Sequence, residues 1–316
     1  MSRFTAQCTG EEVGEVLADQ IRGSRVLITG VTPGSIGGEA ARQLARHAPA
    51  LLVLAGRTLA VLQAAQQVIQ TENPSTHTQL LVFDLSSQAS IRRAAKEAPE
   101  GIDRIVNSAG VMATPYTTTA DGVELQFGTN HIGHFLFTNL ILSRAVARGE
   151  SVRVVNVSSL GHKRGPVRFA DWGFGGGACY DKWQAYGQSK TANMLFSVAL
   201  AEKLGGRGIG SFSLYPGRMV TGIGRSLTPE EWVKAGWKHE DGTIVDDPRL
   251  NWRSLTQGAA TLIVAAYDPS ISDLNGSYMV NNQVNNGEAA AYALDSLNAE
   301  RLWTMSEEIV GQRFVY

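Results

Sequence analysis

The chain has 316 residues, of which 43% are hydrophobic and 18% charged, so it carries enough apolar side chains for a sizeable folded core. Its 28 basic and 29 acidic residues give a net charge of −1, which argues against nucleic acid or an anionic membrane surface as the main partner. Two cysteines, Cys8 and Cys179, are too few for a disulfide framework and indicate a reducing, cytoplasmic setting. No run of 18 apolar residues predicts a membrane span.

Strand and helix patterns alternate through the first two thirds of the chain. A capping box at residues 9–12 opens a short helix within an N-terminal helical extension, residues 1–22. Apolar runs then predict strands, and amphipathic periods predict the helices between them. The expected strands are 25–28, 51–55, 80–83, 102–107, 152–157 and 209–215, and the expected helices are 38–47, 58–71, 88–98, 122–148 and 182–204.

This alternation breaks after Pro216. Residues 222–253 are irregular, and helices at 255–266 and 298–310 with a short strand at 278–280 follow. Strands separated by helices indicate right-handed βαβ units. We therefore predict an α/β fold in a single domain, with a Rossmann-type, doubly wound parallel sheet of about seven strands. Helices cover both faces, and 222–253 forms an elaborated substrate loop or lid.

The first strand runs into a glycine-rich turn, Thr-Gly-Val-Thr-Pro-Gly-Ser-Ile-Gly-Gly at residues 29–38. Between a strand and a helix, such a turn lets backbone N–H groups approach a pyrophosphate, because glycine has no Cβ to clash. Gly30, Gly34 and Gly37 are therefore candidate cofactor residues. A plain tight turn is the alternative, and the position after the first buried strand favours nucleotide binding.

The end of the second strand indicates which dinucleotide would bind. In a dinucleotide-binding fold the adenine ribose lies here, and a carboxylate would favour NAD by holding the 2′-hydroxyl. This chain has Arg57 followed by Thr58 instead, and a guanidinium suits a 2′-phosphate. The sequence thus predicts NADP(H), with a plain surface arginine as the alternative.

Polar and small residues close the third and fourth strands. Asp84, next to Leu85, could accept a hydrogen bond from an adenine amino group or could cap the following turn, and both interpretations stay open. Asn107, Ala109 and Gly110 close the fourth strand, where small residues let the backbone lie against a ribose. Asn107 could instead join neighbouring strands.

Tyr186 and Lys190 form the strongest catalytic pattern. Residues at i and i+4 share one face of a helix, and a nearby ammonium lowers the pKa of a phenol by favouring the phenolate. Ser159 follows the fifth strand, at the same sheet edge as the glycine turn. These three side chains predict a proton-transfer site beside the nucleotide.

These motifs resemble the short-chain dehydrogenase/reductase family over about residues 24–222. The matching features are the glycine turn, Asn-Ser-Ala-Gly at 107–110, Asn130, Ser159, Tyr-x-x-x-Lys at 186–190 and Pro-Gly-Arg-Met-Val-Thr at 216–221. Segments 130–135 and 154–162 look like the retinol-dehydrogenase-like branch. The N-terminal helix and the 303–311 ending look like its fungal relatives, a likeness that would imply secondary metabolism.

The resemblance implies a role for each matching catalytic residue. Tyr186 would exchange the proton with the carbonyl or alcohol oxygen, and Lys190 would bind the nicotinamide ribose and lower the pKa of the tyrosine. Ser159, the second serine of its pair, would hydrogen-bond the reacting oxygen. Asn130 would hold a water in the proton relay, and the nicotinamide would carry the hydride.

The resemblance also implies cofactor contacts away from the strand ends. Phosphate contacts are expected around Ser35 and Ile36, although Gly37 comes one position later than in the family's usual turn. Thr221 and the Met219 backbone would hold the carboxamide end of the nicotinamide. Two further cofactor residues of the same loop are Pro216 and Gly217.

Tryptophans cluster in the segments that enter and leave the expected site. Aromatic side chains at the carboxyl edge of an open α/β sheet suit an apolar pocket, so we expect a bulky, apolar or aromatic substrate. Packing at the edge of the domain or at an oligomer interface is the alternative. Four tryptophans are candidate pocket residues beside Ser159: Trp172, Trp183, Trp232 and Trp237.

The sequence as a whole predicts an NADP(H)-dependent oxidoreductase acting on a ketone, aldehyde or secondary alcohol. A C=C or C=N reductase and a non-catalytic NADP sensor are the alternatives, and the sensor would need a broken proton relay.

His131 and His134 are expected to pack rather than bind a metal, since no cluster has zinc spacing. A small molecule is the expected partner, and the oligomeric state stays open, a homo-oligomer included.

Overall fold

One mostly parallel sheet organises the computed structural model, which describes residues 2–316. Within those residues eight strands join in the order β3-β2-β1-β4-β5-β6-β7-β8, and only β7 and β8 pair antiparallel. The central strands are apolar and buried, as expected where helices cover both faces. The strands are β1 Arg25–Thr29, β2 Leu51–Gly56, β3 Thr78–Val82, β4 Arg104–Asn107, β5 Val152–Val157, β6 Ile209–Tyr215, β7 Tyr278–Val280 and β8 Gln283–Val284.

Helices lie on both sides of this sheet, which confirms the doubly wound α/β fold. One apolar core, containing Phe135 and Phe196, packs under α5, α7, α8 and α11, and the other, containing Leu44 and Ile263, packs under α1, α3, α4 and α10. The helices are α1 Gly10–Val16, α2 Ala18–Ile21, α3 Ile36–Ala45, α4 Leu59–Glu72, α5 Gln88–Glu97, α6 Leu125–Phe127, α7 Gly133–Ala147, α8 Lys182–Leu204, α9 Pro229–Lys234, α10 Leu255–Tyr267 and α11 Ser296–Val310.

The helix expected over 122–148 is shorter and interrupted. Gly122 has a φ of +78°, outside the helical region, and the Glu124 carboxylate caps a new start by accepting two backbone N–H groups. A π-helical turn at Gly128–Ile132 then separates α6 from α7. Such turns cluster at functional sites, and this one contains Asn130.

Both ends of the chain also differ from expectation. The N-terminal helix is divided at Leu17 into α1 and α2. Near the C-terminus, Asn281 and Asn282 take positive φ values of 54° and 65°, the geometry of a tight hairpin turn, and so add β8. No helix among residues 2–316 is long and apolar enough to cross a membrane.

Candidate active site

A cavity of about 600 Å³ opens at the carboxyl edge of the sheet. Parallel strands all end at this edge, so residues at or just after the ends of β1 to β6 converge there with part of the 222–253 segment. The predicted cofactor residues that line it are Gly30, Gly34, Ser35, Ile36, Arg57, Thr58, Asp84, Leu85, Ala109, Gly110, Tyr186, Lys190, Pro216, Gly217, Met219 and Thr221.

The glycine turn brings the backbone close to the end of β4. Gly30 has a φ of +76°, and a Cβ there would lie 2.7 Å from the Cα of Ala109. The Ser35 hydroxyl accepts a hydrogen bond from the Gly38 N–H at 3.0 Å and caps α3. Because α3 begins at Ile36 in the cavity wall, its N-terminus can meet a pyrophosphate.

Gly37 and Asn107 lie beneath the cavity, and the structure does not bring these two expected cofactor residues into its wall. A Cβ at Gly37 would lie 3.0 Å from the Gly30 carbonyl oxygen, so this late glycine lets α3 pack closely on β1. Asn107 donates to the Thr138 hydroxyl at 3.0 Å and to the Asn156 side-chain oxygen at 2.8 Å. Asn107 therefore joins neighbouring elements, the alternative considered for it.

The adenosine side of the cavity carries a cation and a carboxylate. Arg57 is exposed and lines the cavity at the end of β2. The Asp84 Oδ1 accepts from the Ser86 N–H at 2.8 Å and caps the following turn, while Asp84 also lines the cavity. The glycine turn and the N-terminus of α3 follow β1, and the Arg57 cation follows the neighbouring β2. Together these groups fit a nicotinamide dinucleotide.

Ser159, Tyr186 and Lys190 meet in the wall of the same cavity. Tyr186 is 5% exposed and Lys190 2%. The Lys190 Nζ donates to the Val157 carbonyl oxygen at 3.0 Å and lies 5.7 Å from the centroid of the Tyr186 ring. The Ser159 hydroxyl accepts from the Gly161 N–H at 3.0 Å and also hydrogen-bonds Tyr186.

Burial shifts the pKa values of both Tyr186 and Lys190. It raises the pKa of Tyr186 to about 12, against the opposing hydrogen bond from Ser159, and it lowers the pKa of Lys190 to about 8. This burial opposes the lowering expected from Lys190, whose ammonium is turned towards Val157, and that role of Lys190 stays a prediction from the resemblance. At neutral pH the phenol keeps its proton.

Asn130 lies behind the cavity wall and is fully buried. Its side-chain oxygen accepts from the Val111 N–H at 2.8 Å, and its Nδ2 donates to the Val111 carbonyl oxygen and the Ser189 hydroxyl, both at 2.9 Å. Asn130 thus holds the loop after β4, whose Val111 lines the cavity. Its water-holding role stays a prediction from the resemblance.

His134 makes a hydrogen-bonded link beneath the site that the sequence did not reveal. Its Nδ1–H donates to the Asn130 carbonyl oxygen at 3.0 Å, so its Nε2 accepts from the Thr29 hydroxyl at 2.9 Å. Burial lowers the pKa of His134 to about 4 and keeps the ring neutral. Within residues 2–316, no group of three or more His, Cys, Asp or Glu side chains could hold a metal ion.

Three of the four predicted tryptophans line one end of the cavity. Trp237 packs edge-on against Trp183 and Trp232, with ring centroids 5.9 and 5.7 Å apart. Trp252 lines the same end, and its Nε1 donates to the Val245 carbonyl oxygen at 3.0 Å. The aromatic rings therefore join the 222–253 segment to the start of α8.

Trp172 lies outside the cavity, contrary to the prediction. Its ring stacks on Phe127 at a centroid distance of 6.2 Å and packs against the apolar core. The Trp172 carbonyl oxygen accepts from the Gln188 side chain at 3.0 Å, which holds this segment against α8. The ring is therefore partly buried against the core and does not line the cavity.

Sequence reasoning did not select three arginines that line the aromatic end, Arg164, Arg218 and Arg225. Arg218 belongs to the Pro-Gly-Arg-Met-Val-Thr motif, whose loop is expected at the nicotinamide. Its position in that loop was the sequence feature that could have identified it as a cavity residue. Arg164 and Arg225 carried no comparable pattern, because only folding brings their segments to the cavity.

Comparison with known proteins agrees with this geometry. The family model described as short chain dehydrogenase matches residues 24–232. Mouse retinol dehydrogenase 12 is 35% identical over 295 residues, covering 92% of this chain and 88% of that protein. Human retinol dehydrogenase 13 is 36% identical over 306 residues, covering 92% and 86%.

Solved structures share the fold along most of the chain. An uncharacterized protein from Mycobacterium paratuberculosis is 27% identical, with a TM-score of 0.73 and 100% of each chain covered. Levodione reductase is 23% identical, with a TM-score of 0.64 over 86% of this chain and 99% of that one, and supports the fold alone. The chain therefore belongs to the short-chain dehydrogenase family of oxidoreductases, in its retinol-dehydrogenase-like branch.

Proposed function

We propose that this protein is an NADP(H)-dependent oxidoreductase that exchanges a hydride between nicotinamide and a ketone, aldehyde or secondary alcohol with a bulky, apolar or aromatic body. The observation that carries the proposal is a single cavity lined by Ser159, Tyr186 and Lys190, by a glycine turn and by tryptophans. Similarity to retinol dehydrogenases supports chemistry at a CH–OH or C=O group. Cys8 and Cys179 are both free thiols, which fits the reducing environment of the cytoplasm.

The cofactor would lie along the carboxyl edge of the sheet. Arg57 would hold its 2′-phosphate, the N-terminus of α3 its pyrophosphate, and Thr221 the carboxamide. Lys190 would bind the nicotinamide ribose. When bound, the nicotinamide supplies or accepts the hydride, and the protein supplies orientation and the proton.

Tyr186 would hold the transferable proton. With a pKa raised to about 12, the phenol stays protonated at neutral pH and can donate to a carbonyl oxygen. Ser159 would hydrogen-bond that oxygen and orient it towards the phenol.

Residues 222–253 would act as a lid over the substrate. The Lys182 ammonium pairs with the Glu231 carboxylate and so joins α9 to the start of α8. Trp237 contacts Trp183 across the same junction. A closed lid would keep water from the reacting groups, as in other enzymes with closing loops.

Arg57→Ala should raise KM for NADPH about tenfold and leave KM for NADH nearly unchanged. A charge-assisted contact to phosphate is worth roughly 1.5–3 kcal/mol, and we expect the lower end because Pro33 adds no second cation in the turn. Steady-state kinetics with both cofactors measure the effect. Arg207→Ala, an exposed arginine before β6 at the opposite sheet edge, is the control. Equal efficiency of the wild type with NADH would contradict the cofactor assignment.

Trp232→Ala and Trp237→Ala should each raise KM for a multi-ring ketone by about two- to tenfold, the equivalent of one lost aromatic contact. Their KM for NADPH and their thermal unfolding midpoints should stay near wild type, and Trp237→Phe should retain most of the affinity. Wild-type kinetics in both alanine variants, or a preference for small polar carbonyl compounds, would show that the aromatic end does not bind substrate.

A further inference from the structure

The aromatic end of the cavity is cationic. Arg164, Arg218 and Arg225 all line it. Asp84 is the acidic residue that lines the cavity within the described chain, and it lies at the adenosine side, after β3. A pocket with apolar walls and one sign of charge attracts ligands of the opposite sign.

All three arginines contact other parts of the protein. The Arg164 guanidinium lies 4.7 Å from the centroid of the Trp183 ring, and Arg225 donates to the Gly222 carbonyl oxygen at 3.1 Å. Arg218 differs, because its Nη1 is buried and has no hydrogen-bond partner within residues 2–316. Buried donors are nearly always paired, so this atom needs an explanation.

Arg218 is half-buried and lines the cavity, and a ligand would meet its Nε and Nη2 rather than the buried Nη1, since within residues 2–316 these two nitrogens are accessible and make no hydrogen bond to the protein. The central carbon lies 5.3 Å from the Trp237 ring centroid and 5.7 Å from that of Trp252. The Arg218 carbonyl oxygen accepts from the Arg253 N–H at 2.8 Å, which anchors the loop. Ring contacts of this kind engage the π-system, whereas the N–H donors stay in the guanidinium plane.

We propose that Arg218 binds a carboxylate carried by the aromatic body of the substrate. This proposal rests on the proposed function, since it names the class of compound that the same cavity reduces: an aromatic keto acid, or the matching hydroxy acid in reverse. A planar carboxylate fits the guanidinium fork through two parallel hydrogen bonds, and the tryptophans would pack against the adjoining rings. The ligand would supply acceptors to the guanidinium nitrogens that remain accessible, Nε and Nη2, whereas Nη1 stays buried against the protein.

Benzoylbenzoate and its methyl ester test this directly, because they are two-ring ketones of nearly equal shape that differ in charge. Wild type should reduce the acid with a kcat/KM about ten- to a hundredfold above that of the ester. Arg218→Met should remove this preference by lowering kcat/KM for the acid alone. Arg218→Lys, which keeps the charge without the planar fork, should restore part of it.

Binding measurements separate this proposal from the proposed function. Tryptophan fluorescence can report the affinity of the acid for the NADP⁺ complex without turnover, and the affinity for NADPH itself. Arg249→Met is the control, because Arg249 lies in the 222–253 segment but its side chain is 90% exposed and pairs with Asp247. It should behave as wild type.

Each result decides between the two ideas. Acid binding that is weakened by Arg218→Met, without reduction of either compound, would support the subsite and contradict the proposed function. Reduction of both compounds with equal efficiency would support the function and overturn the subsite. A loss of NADPH affinity in Arg218→Met, equal for acid and ester reactions, would assign Arg218 to the cofactor and also overturn the subsite.

Discussion

Tyr186→Phe is expected to lower kcat at least about a hundredfold while changing the dissociation constant of NADPH less than about twofold. The substitution removes the proton donor and almost no volume from a side chain that is 5% exposed. Hydride transfer to a carbonyl then produces an alkoxide without a proton source. Turnover and NADPH binding, measured on the same preparation, separate loss of chemistry from loss of structure.

Tyr116→Phe provides the matched control. Tyr116 is 36% exposed, lies outside the cavity and packs edge-on against Tyr180. Its variant should keep wild-type turnover. Retention of more than a few per cent of wild-type kcat in Tyr186→Phe would mean that another group donates the proton.

Gly161→Ala is expected to lower kcat about ten- to a hundredfold, because small displacements of a catalytic group are costly. A Cβ at Gly161 would lie 2.7 Å from the Cε1 and 2.8 Å from the Cδ1 of the Tyr186 ring. The ring is buried and cannot rotate away freely, so the phenol must move relative to Ser159. The loss should appear mainly in kcat, with NADPH affinity near wild type.

Gly165→Ala tests the same segment without that contact. A Cβ at Gly165 has no neighbour within 4 Å among the described residues, and its φ of 161° is extended backbone that alanine adopts. This variant should keep wild-type kcat. Wild-type kcat in Gly161→Ala would show that close packing of Gly161 against Tyr186 does not position the phenol. A fall in the unfolding midpoint of Gly161→Ala together with its activity would show the same, because the loss would then reflect stability.

The parts of the fold that local patterns determine could be predicted from the sequence. The apolar run at 51–55 predicts a strand buried on both faces, which the structure has at Leu51–Gly56, and Tyr186 and Lys190 share a helix face through their spacing alone. Gly30 was identifiable because a turn between strand and helix requires it. The Asn281–Asn282 pair is a readable hairpin signal that the strand prediction omitted.

Other parts depend on which way a side chain faces after the elements pack. Asn107 and Trp172 have suitable chemistry at suitable positions, yet packing turns one towards Thr138 and the other towards Phe127. The pKa of Tyr186 likewise depends on how deeply the phenol is buried, which spacing does not reveal. Whether a charged group such as Arg218 is paired becomes visible only when its neighbours are in place.

The function is tested most directly by following NADPH consumption with multi-ring ketones and the corresponding enones, and by identifying the products. We expect NADPH to be oxidised in step with formation of the secondary alcohol, faster than with NADH and faster than with acetone. Reduction of the enone C=C bond in place of the carbonyl would contradict the proposed reaction. NADPH binding without consumption by any carbonyl compound would indicate a sensor instead of an enzyme.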